Sequence, residues 1–234
     1  MLLAAGRGER MRPLTDHTPK PLLPVQGRAL LDWHIAALLR DGVAQVLINT
    51  AWLGAHMAQH LDATWRGSPL QLRYSHEQDD FGHALETAGG IARALPQLPP
   101  VFWLAAGDVF VPDFVFDPAA HAAFAASADL AHLWLVPNPA HHPQGDFGLA
   151  AGRALNLPAD SPMPRYTYST IGLFKAALFS APWCALAPGN PTGQAAPLAP
   201  LLRRAMDAGR VGASLYTGRW TDVGTPQRWA ELQQ

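Results

Sequence analysis

The first 25 residues combine glycines, arginines and one lysine at a spacing that suits phosphate binding. The run Leu3-Ala4-Ala5-Gly6-Arg7-Gly8-Glu9-Arg10 begins in a short apolar stretch and ends in a basic one. Glycines let backbone N–H groups turn toward an anion without a side chain in the way. The run is neither a dinucleotide fingerprint, because Met11 replaces the third glycine, nor a P-loop, because no GK[ST] follows. By themselves the two glycines fit an ordinary tight turn equally well.

A lysine held between two prolines is the second feature that could do chemistry. Only Lys20 and Lys175 are lysines among the 17 basic residues. A compact ammonium differs from a planar guanidinium, so the lysine at position 20 points to a need for a point charge. Pro19 and Pro21 restrict the neighbouring backbone and reduce the entropy lost when Lys20 is presented to a ligand.

The elements that must position these residues alternate between strands and helices in the first half of the chain. Alternation of this kind predicts a parallel sheet with helices on both faces, and ligands bind such sheets at the carboxyl ends of the strands. The predicted strands cover residues 2–5, 43–49, 70–74 and 101–106, and the predicted helices cover 29–39, 52–61 and 85–95, the last broken by Gly89-Gly90.

The second half has a different pattern, with more proline and shorter extended runs. It predicts a mixed sheet with hairpins and a variable lobe inserted near residues 137–168. The predicted strands are 130–136, 147–151, 166–174 and 211–216; helices are expected at 198–208 and around Trp229, and a surface loop at 181–197.

Composition excludes several classes of protein. Seventeen basic against 18 acidic residues give a net charge of −1, so no bulk field attracts nucleic acid or an anionic membrane. The single cysteine, Cys184, excludes an internal disulfide. No apolar run is long enough to span a bilayer or to act as a secretory signal. We therefore expect a cytoplasmic protein; the oligomeric state is left open.

Read together, residues 3–25 resemble the signature LAAGxGxRMxPLTxxxPKPLxPV of sugar-1-phosphate nucleotidyltransferases. About ten positions match in order and spacing. Further segments resemble the bacterial N-acetylmuramate-1-phosphate uridylyltransferases in particular. These segments are Ile48-Asn49-Thr50-Ala51-Trp52-Leu53, the LETAGGI run from Leu85, Gly107-Asp108-Val109, the NPAHHPQGDF run from Asn138, and the WTDVGT run from Trp220.

The resemblance implies a three-layer α/β/α fold of the nucleotide-diphospho-sugar transferase type, which is Rossmann-like. Its sheet is mostly parallel but mixed, and a sugar-binding lobe is inserted in it. Residues 1–234 would form a single domain, with a nucleotide-binding half at about 1–110 and a sugar-binding half at about 111–234. The reaction it implies is Mg²⁺-dependent transfer of a nucleoside monophosphate from UTP to N-acetylmuramate 1-phosphate, with release of pyrophosphate, in peptidoglycan recycling.

Roles for individual residues follow from the same resemblance. The sugar phosphate is already an anion near neutral pH, so the reaction needs positive charge and positioning more than a general base. Lys20 and Arg10 would be catalytic. The nucleotide would be bound by Ala5, Gly6, Gly8, Glu9, Arg10, Lys20, Glu86 and Gly89; Mg²⁺ by Asp108 and Asp222; and the sugar by Asn138, Asp146 and Gly148.

Departures from the family pattern leave the specificity open. Ala88 makes the run LETAGG, which is closer to mannose-1-phosphate guanylyltransferases, and residues 78–83 are longer than in the uridylyltransferases. Thr170 stands where a glycine is usual and could narrow the sugar pocket. The chain also begins about three residues closer to the first strand. The alternatives are a mannose-1-phosphate guanylyltransferase, another sugar specificity, or a non-catalytic regulatory protein that binds nucleotide sugars.

Overall fold

The computed structural model describes residues 1–233, and it contains one nine-stranded mixed sheet between two layers of helices. The strands are β1 (Leu2–Ala4), β2 (Pro24–Val25), β3 (Arg28–Ala29), β4 (Gln45–Thr50), β5 (Gln71–His76), β6 (Val101–Ala106), β7 (Val109–Phe110), β8 (Ala131–Val136), β9 (Phe147–Ala150), β10 (Arg153–Leu155), β11 (Arg165–Lys175), β12 (Val211–Leu215) and β13 (Thr221–Asp222). The helices are α1 (Leu30–Arg40), α2 (Gly54–Thr64), α3 (Glu77–Phe81), α4 (Glu86–Ala94), α5 (Pro118–Ala126), α6 (Ala199–Asp207) and α7 (Pro226–Glu231).

The strand order in the large sheet is β5-β4-β1-β6-β11-β8-β12-β10-β9. The first four strands are parallel, β11 is antiparallel to both of its neighbours, and β8 and β12 are again parallel. Only β11 and β10 run against the others, which confirms a mostly parallel mixed sheet. Strands from both halves of the chain therefore share one sheet, and β11 joins them.

The two faces of the sheet are buried in separate hydrophobic cores. Alternation along β6 shows this, because Phe102 and Leu104 face one core whereas Trp103 and Ala105 face the other. Helices α4 and α6 cover the first face, and α1, α2 and α5 cover the second. Burial on both faces is typical of parallel sheets and explains why these strands are almost continuously apolar.

Two helices were not predicted from the sequence. Helix α5 begins at Pro118, and the side chain of Asp117 accepts a hydrogen bond from the backbone of Ala119 as its N-cap. Its composition is mostly alanine, so the apolar periodicity that signals a helix is weak there. Helix α3 occupies the 78–83 region and has only five residues.

The break predicted at Gly89-Gly90 is wrong, because α4 runs through both glycines without interruption. Both glycines are buried, and their surroundings explain the residue type. A Cβ at Gly89 would lie 2.6 Å from the carbonyl oxygen of Gln194, and a Cβ at Gly90 would collide with the Glu77 carboxylate. The glycines thus permit close packing on two sides of the helix.

The helices in the part of the chain that the structure describes are too short or too polar to cross a lipid bilayer.

Candidate active site

A cavity of about 690 Å³ opens at the carboxyl ends of β1, β4 and β6. Its volume lies in the range that holds small-molecule ligands. Six residues that the sequence singled out as functional line it: Ala5, Gly6, Lys20, Glu86, Asp108 and Asp146. Side chains from both halves of the chain therefore meet in one space.

The glycine-rich loop after β1 forms one edge of this cavity. Gly6 has open space where a Cβ would lie, whereas Gly8 has a φ of +67° and would bring a Cβ to 3.1 Å from the Cβ of Lys20. Thr15, which is fully buried, holds the loop by donating its hydroxyl to the carbonyl of Gly8 at 2.8 Å. Glu9 and Arg10 follow on a short 3₁₀ turn with exposed side chains.

Lys20 and Asp108 form an ion pair in the cavity wall. The Lys20 Nζ donates to Asp108 Oδ2 at 2.5 Å, and the lysine side chain is only 10% exposed, against 41% for the aspartate. The flanking prolines place Lys20 at the start of a 3₁₀ turn, Lys20–Leu22. Since Gly8 has no side chain, the lysine stem can pass directly over that loop.

Backbone pairing between two short strands brings Asp222 close to Asp108 in the fold. Strand β13 pairs with β7 so that Asp222 lies opposite Val109, and the Val223 N–H donates to the Asp108 carbonyl at 3.0 Å. The Asp222 side chain does not line the cavity. Both of its oxygens accept from Arg228 Nη1 at 2.6 Å, and His141 Nε2 lies 2.8 Å from Oδ1.

These carboxylates are a suitable donor set for magnesium. Within residues 1–233 no three His, Cys, Asp or Glu side chains form a metal-binding cluster. Asp108 lines the cavity, and Asp222 follows it on the paired strand β13. Magnesium in phosphate-transferring sites is usually held by one or two carboxylates together with substrate phosphates. The residues present therefore fit a metal ion that enters with a nucleotide.

The next wall of the cavity is the start of α4. Glu86 is exposed to the cavity and has a φ of +56°, a backbone conformation that residues other than glycine rarely adopt. Gly89 was predicted to bind nucleotide, but the structure buries it away from the cavity. Its N–H, like that of Ala88, donates to the carbonyl of Ala196.

A buried carboxylate braces this wall from behind. Glu77 is fully buried and accepts hydrogen bonds from Asn49 Nδ2 at 2.7 Å and from the Leu85 N–H at 2.8 Å. Burial raises the pKa of Glu77, and these two hydrogen bonds oppose the shift. Asn49 also accepts from the Ala4 N–H. One side-chain network thus ties β1 and β4 to the segment that carries Glu86.

Asp146 marks the other end of the cavity. Its carboxylate accepts from the Tyr168 N–H at 2.8 Å and lies 3.1 Å from His142 Nε2. Asn138, predicted to contact sugar, instead has its amide bonded to the carbonyls of Pro143 and Arg165 and to the Thr167 hydroxyl. It braces the loop that carries Asp146.

Gly148, also predicted to contact sugar, is buried in β9 outside the cavity lining. A Cβ there would collide with Leu157, so packing accounts for the glycine. Of the other predicted residues, Gly8, Glu9 and Arg10 lie on the adjoining loop and Asp222 lies behind Asp108. The structure therefore brings together six predicted residues and places the remainder around them.

One wall of the cavity was missed by the sequence analysis. The segment predicted as a surface loop packs onto α4 through buried residues such as Asn190, and its last residue, Pro197, lines the cavity. Leu198, the first residue of the predicted helix, lines it as well. Leu202 on α6 continues this wall. The next residue, Arg203, places its guanidinium 5.2 Å from the ring of Phe147, which also lines the cavity. Nothing local in the sequence indicates these contacts.

Comparison with known proteins agrees with this architecture. The sequence pattern of the nucleotidyl transferase family matches residues 1–154. The chain is 42% identical to the N-acetylmuramate alpha-1-phosphate uridylyltransferase of Neisseria meningitidis, over 100% of this chain and 96% of the relative. It is 30% identical to the enzyme of the same name from Caulobacter vibrioides, over 97% and 92% of the two chains.

Two more distant likenesses complete the comparison. A mannose-1-phosphate guanylyltransferase catalytic subunit beta from Drosophila pseudoobscura pseudoobscura is 33% identical, but over 50% of this chain and 31% of the relative. Among solved structures, a putative glucose-1-phosphate thymidylyltransferase from Bacillus anthracis superposes with a TM-score of 0.81 at 18% identity, covering 99% of this chain and 92% of the other. The likeness in structure confirms the predicted fold.

Proposed function

The chain belongs to the nucleotidyl transferase family, and from that premise we propose that it transfers a uridylyl group from UTP to N-acetylmuramate 1-phosphate. The products are UDP-N-acetylmuramate and pyrophosphate. The observation that carries nucleotidyl transfer is the Lys20–Asp108 pair at the carboxyl ends of parallel strands. The choice of base and sugar is supported by the full-length similarity to enzymes of that name, whereas the guanylyltransferase likeness covers half the chain.

The chemistry requires one phosphate oxygen of the sugar phosphate to attack the α-phosphorus of UTP while pyrophosphate leaves. The nucleophile is already an anion, since its second pKa is about 6. The barrier lies in bringing anions together and in stabilising charge on the α-phosphate and the leaving group. Lys20 supplies a positive charge that its buried stem and flanking prolines hold in place.

The glycine-rich loop would bind the triphosphate. Gly6 leaves its backbone N–H open to an anion, and Gly8 permits the turn that brings the loop over Lys20. Arg10 is exposed nearby and can offer a planar pair of donors to the terminal phosphates. On the opposite side, Glu86 would face the base or the ribose, and the 78–83 segment lies outside the cavity lining.

Asp108 and Asp222 would hold Mg²⁺ together with the phosphate oxygens. When bound, a divalent cation neutralises charge on the phosphates and orients them for in-line displacement. In this structure Lys20 and Arg228 are the partners of the two carboxylates.

The sugar end of the cavity supports a substrate with an additional negative charge. N-acetylmuramate carries a lactyl carboxylate, which neutral sugars lack. Phe147 lines this end; Arg203 lies behind it, outside the cavity lining, and its hydrogen-bond partner is the uncharged amide of Asn156 at 2.6 Å. An arginine fork matches the geometry of a carboxylate. A cell-wall sugar acid as substrate would also place the reaction in the cytoplasm, in peptidoglycan recycling.

The test is pyrophosphate release with Mg²⁺ over a grid of substrates. The grid crosses UTP, GTP, dTTP, CTP and ATP with the 1-phosphates of N-acetylmuramate, N-acetylglucosamine, glucose and mannose. We expect strong preference for UTP with N-acetylmuramate 1-phosphate and loss of turnover when the metal is chelated. Preference for GTP with mannose 1-phosphate would retain nucleotidyl transfer and refute the specificity.

A non-catalytic regulator is the alternative of another class. Such a protein would bind nucleotide, as calorimetry would show, but would release no pyrophosphate with any of the nucleotide and sugar 1-phosphate pairs. The retained set of Arg10, Lys20, Asp108 and Asp222 speaks against it, because a protein released from catalysis has no need to keep all four.

A further inference from the structure

Trp52 lies next to the glycine-rich loop, although it is outside the cavity lining. Strands β1 and β4 are parallel neighbours, and Ala4 at the end of β1 is paired with Thr50 at the end of β4. The loops that follow these two strands therefore leave the same edge of the sheet side by side. Leu53, directly after Trp52, has a φ of +51° and turns the chain into α2. The surrounding fold must fix that conformation, because residues other than glycine rarely adopt it.

Arg7, which lies between the two glycines of the loop, stacks on this tryptophan. Its Cζ atom is 3.7 Å from the centre of the Trp52 ring, which is within the range of a cation–π contact. The Thr15 carbonyl accepts hydrogen bonds from both side chains, from Arg7 Nη1 at 2.9 Å and from Trp52 Nε1 at 3.1 Å. The Thr15 hydroxyl in turn donates to the Gly8 carbonyl. These four residues therefore form a closed set of contacts around the loop.

The glycine-rich loop has little regular structure of its own. Strand β1 ends at Ala4 and the next 3₁₀ turn begins at Glu9, so residues 5–8 lie outside helix and strand. Restricting the backbone of a residue costs conformational entropy, and a loop that is already ordered does not lose this entropy when its ligand binds. A side chain that orders these residues in the free protein therefore strengthens the binding of any ligand that their N–H groups contact.

The Arg7 guanidinium is occupied by partners outside the cavity lining. Besides the indole ring and the Thr15 carbonyl, it pairs with Asp16 at 3.4 Å, and its side chain is 30% exposed. Arg7 itself does not line the cavity, in contrast to Lys20, which does. The positive charge of Lys20 therefore faces a ligand in the cavity, whereas Arg7 acts on that ligand through the loop.

We propose that Trp52 and Arg7 are positioning residues, which hold the glycine-rich loop in the conformation that binds the triphosphate. The proposal rests on the proposed function, because it assumes a nucleoside triphosphate beside Gly6 and Lys20. Loss of either side chain should weaken the binding of the nucleotide. It should leave the sugar 1-phosphate unaffected, since the sugar end of the cavity is held by other contacts, such as that of Asp146 with the Tyr168 N–H.

The first test compares two tryptophans in matched settings. Trp33 also has an arginine, Arg28, 4.8 Å from its ring centre, and its Nε1 also donates to a backbone carbonyl, that of Val25 at 3.1 Å. It too lies outside the cavity lining. With Mg²⁺ present, Trp52→Leu should raise the Kd of UTP and of inorganic tripolyphosphate about 10-fold in calorimetry, whereas Trp33→Leu should leave both unchanged. Equal losses in the two variants, with Tm measured for each, would overturn the proposal.

A double-mutant cycle separates positioning from direct contact with phosphate. Arg7→Met removes the charge but keeps a long side chain. If Arg7 acts through Trp52, the double variant with Trp52→Leu should bind tripolyphosphate no more weakly than the weaker of the two single variants. Additive losses would show that Arg7 contacts the phosphates independently, and would overturn the joint role.

Kinetics and limited proteolysis provide readouts that a general loss of stability would not change in this way. Trp52→Leu should raise KM for UTP about 10-fold and leave KM for the sugar 1-phosphate unchanged. Trypsin cleaves after arginine, and cleavage after Arg10 should be faster in Trp52→Leu than in Trp33→Leu, because the loop is locally loosened. Equal cleavage rates would overturn the ordering of the loop by Trp52.

The outcomes distinguish this proposal from the proposed function. Tripolyphosphate carries neither base nor sugar, and measuring its binding requires no turnover. A wild-type protein that binds it but releases no pyrophosphate would refute the proposed function, and the two tryptophan variants would still decide the role of Trp52. A wild-type protein that turns over UTP, with a Kd that Trp52→Leu does not change, would overturn the positioning role alone.

Discussion

The two walls of the cavity are built in different ways. The phosphate wall is formed largely by residues 3–6 and 20–21, which belong to one contiguous segment and are braced by Thr15 within it. The sugar wall consists of residues from β9, β11 and α6, and contacts between those elements hold it, such as Asp146 with Tyr168. The first wall is therefore a sequence motif, and the second is a product of packing.

This difference indicates that the reaction is specified by one local segment of the sequence, whereas the specificity is specified by residues brought together from distant segments. Residues that handle phosphates need a fixed spacing along one loop, because backbone N–H groups and one lysine must converge on one group. Residues that select the sugar need only present a shape, which many combinations of side chains can supply. We expect substitutions in the phosphate wall to affect turnover, and substitutions behind or within the other walls to affect stability or selectivity.

The largest effect is expected from Lys20→Ala. Loss of the buried positive charge should lower kcat by about 10³-fold, or roughly 4 kcal/mol, because charge on the α-phosphate is no longer stabilised. Pyrophosphate release measures the effect, and Tm checks that the fold is retained. Lys175→Ala is the control, since that ammonium donates to the Ser127 carbonyl away from the cavity. Comparable loss in both variants would contradict a special role for Lys20.

A large effect on stability is expected from Gly90→Ala. The added methyl group would collide with the buried Glu77 carboxylate, and overpacking of this kind costs about 1–3 kcal/mol. Urea denaturation measures it. Gly6→Ala sharpens the comparison, because a Cβ there meets nothing within 4 Å and should leave stability unchanged while lowering turnover. Equal stability of the two variants would refute the tight packing at Gly90.

A smaller effect is expected from Arg203→Gln. If the guanidinium meets a carboxylate of the sugar, kcat/KM for N-acetylmuramate 1-phosphate should fall about 10-fold relative to N-acetylglucosamine 1-phosphate, about 1.4 kcal/mol. Arg204→Gln is the matched neighbour, since Arg204 donates to the Trp183 carbonyl on the exposed side of α6. If the two substitutions change the ratio equally, the charge at position 203 is not what selects the sugar.

The smallest effect we expect is a difference in how the unfolding free energy depends on pH, measured with variants of Glu77 and Asp16. Burial raises the pKa of Glu77, so the contribution of this carboxyl to stability is present below its unfolded pKa near 4.5 and is lost as pH rises through the folded value. The unfolding free energy of the wild type minus that of Glu77→Gln should therefore decrease between pH 4.5 and 7.

Asp16 in the phosphate wall provides the contrast for that measurement. Its hydrogen bond from Arg12 lowers the pKa of Asp16 below the usual 3.8, so its contribution is present above that value and is lost only as pH falls further. The difference between the wild type and Asp16→Asn should stay flat between pH 4.5 and 7. A slope of the same sign in both pairs would contradict the burial effect at Glu77.

Most of the strands and the longer helices were predicted from the sequence, because apolar residues recur at the period of the element that buries them. The prediction failed where that signal is weak or has another cause. Six of the nine residues of helix α5 are alanine, so its buried side is hard to recognise. The two glycines of α4 suggested a break, although they serve contacts with Glu77 and with the segment around Gln194.

Candidate residues divide in the same way. Lys20 and Asp108 were predicted and meet in the cavity, because each lies directly beside a signature that specifies a turn at the end of a strand. Gly89 and Gly148 were also predicted to bind ligands; the structure shows a close packing contact at each, and their roles in binding stay predictions. The pairing of Asp222 with Arg228 and His141 was not predicted, since nothing along the chain indicates that the three meet.

Local features of the sequence specify the alternating fold, the phosphate loop and the two charged residues at its centre. Their physical basis is local, because turn geometry, proline restraint and apolar periodicity act over a few residues. Contacts in the folded protein create the second wall, the close packing at Gly90 and the brace from Glu77. Those depend on contacts between residues distant in the chain, and such contacts exist only once the sheet has assembled its strands in their final order.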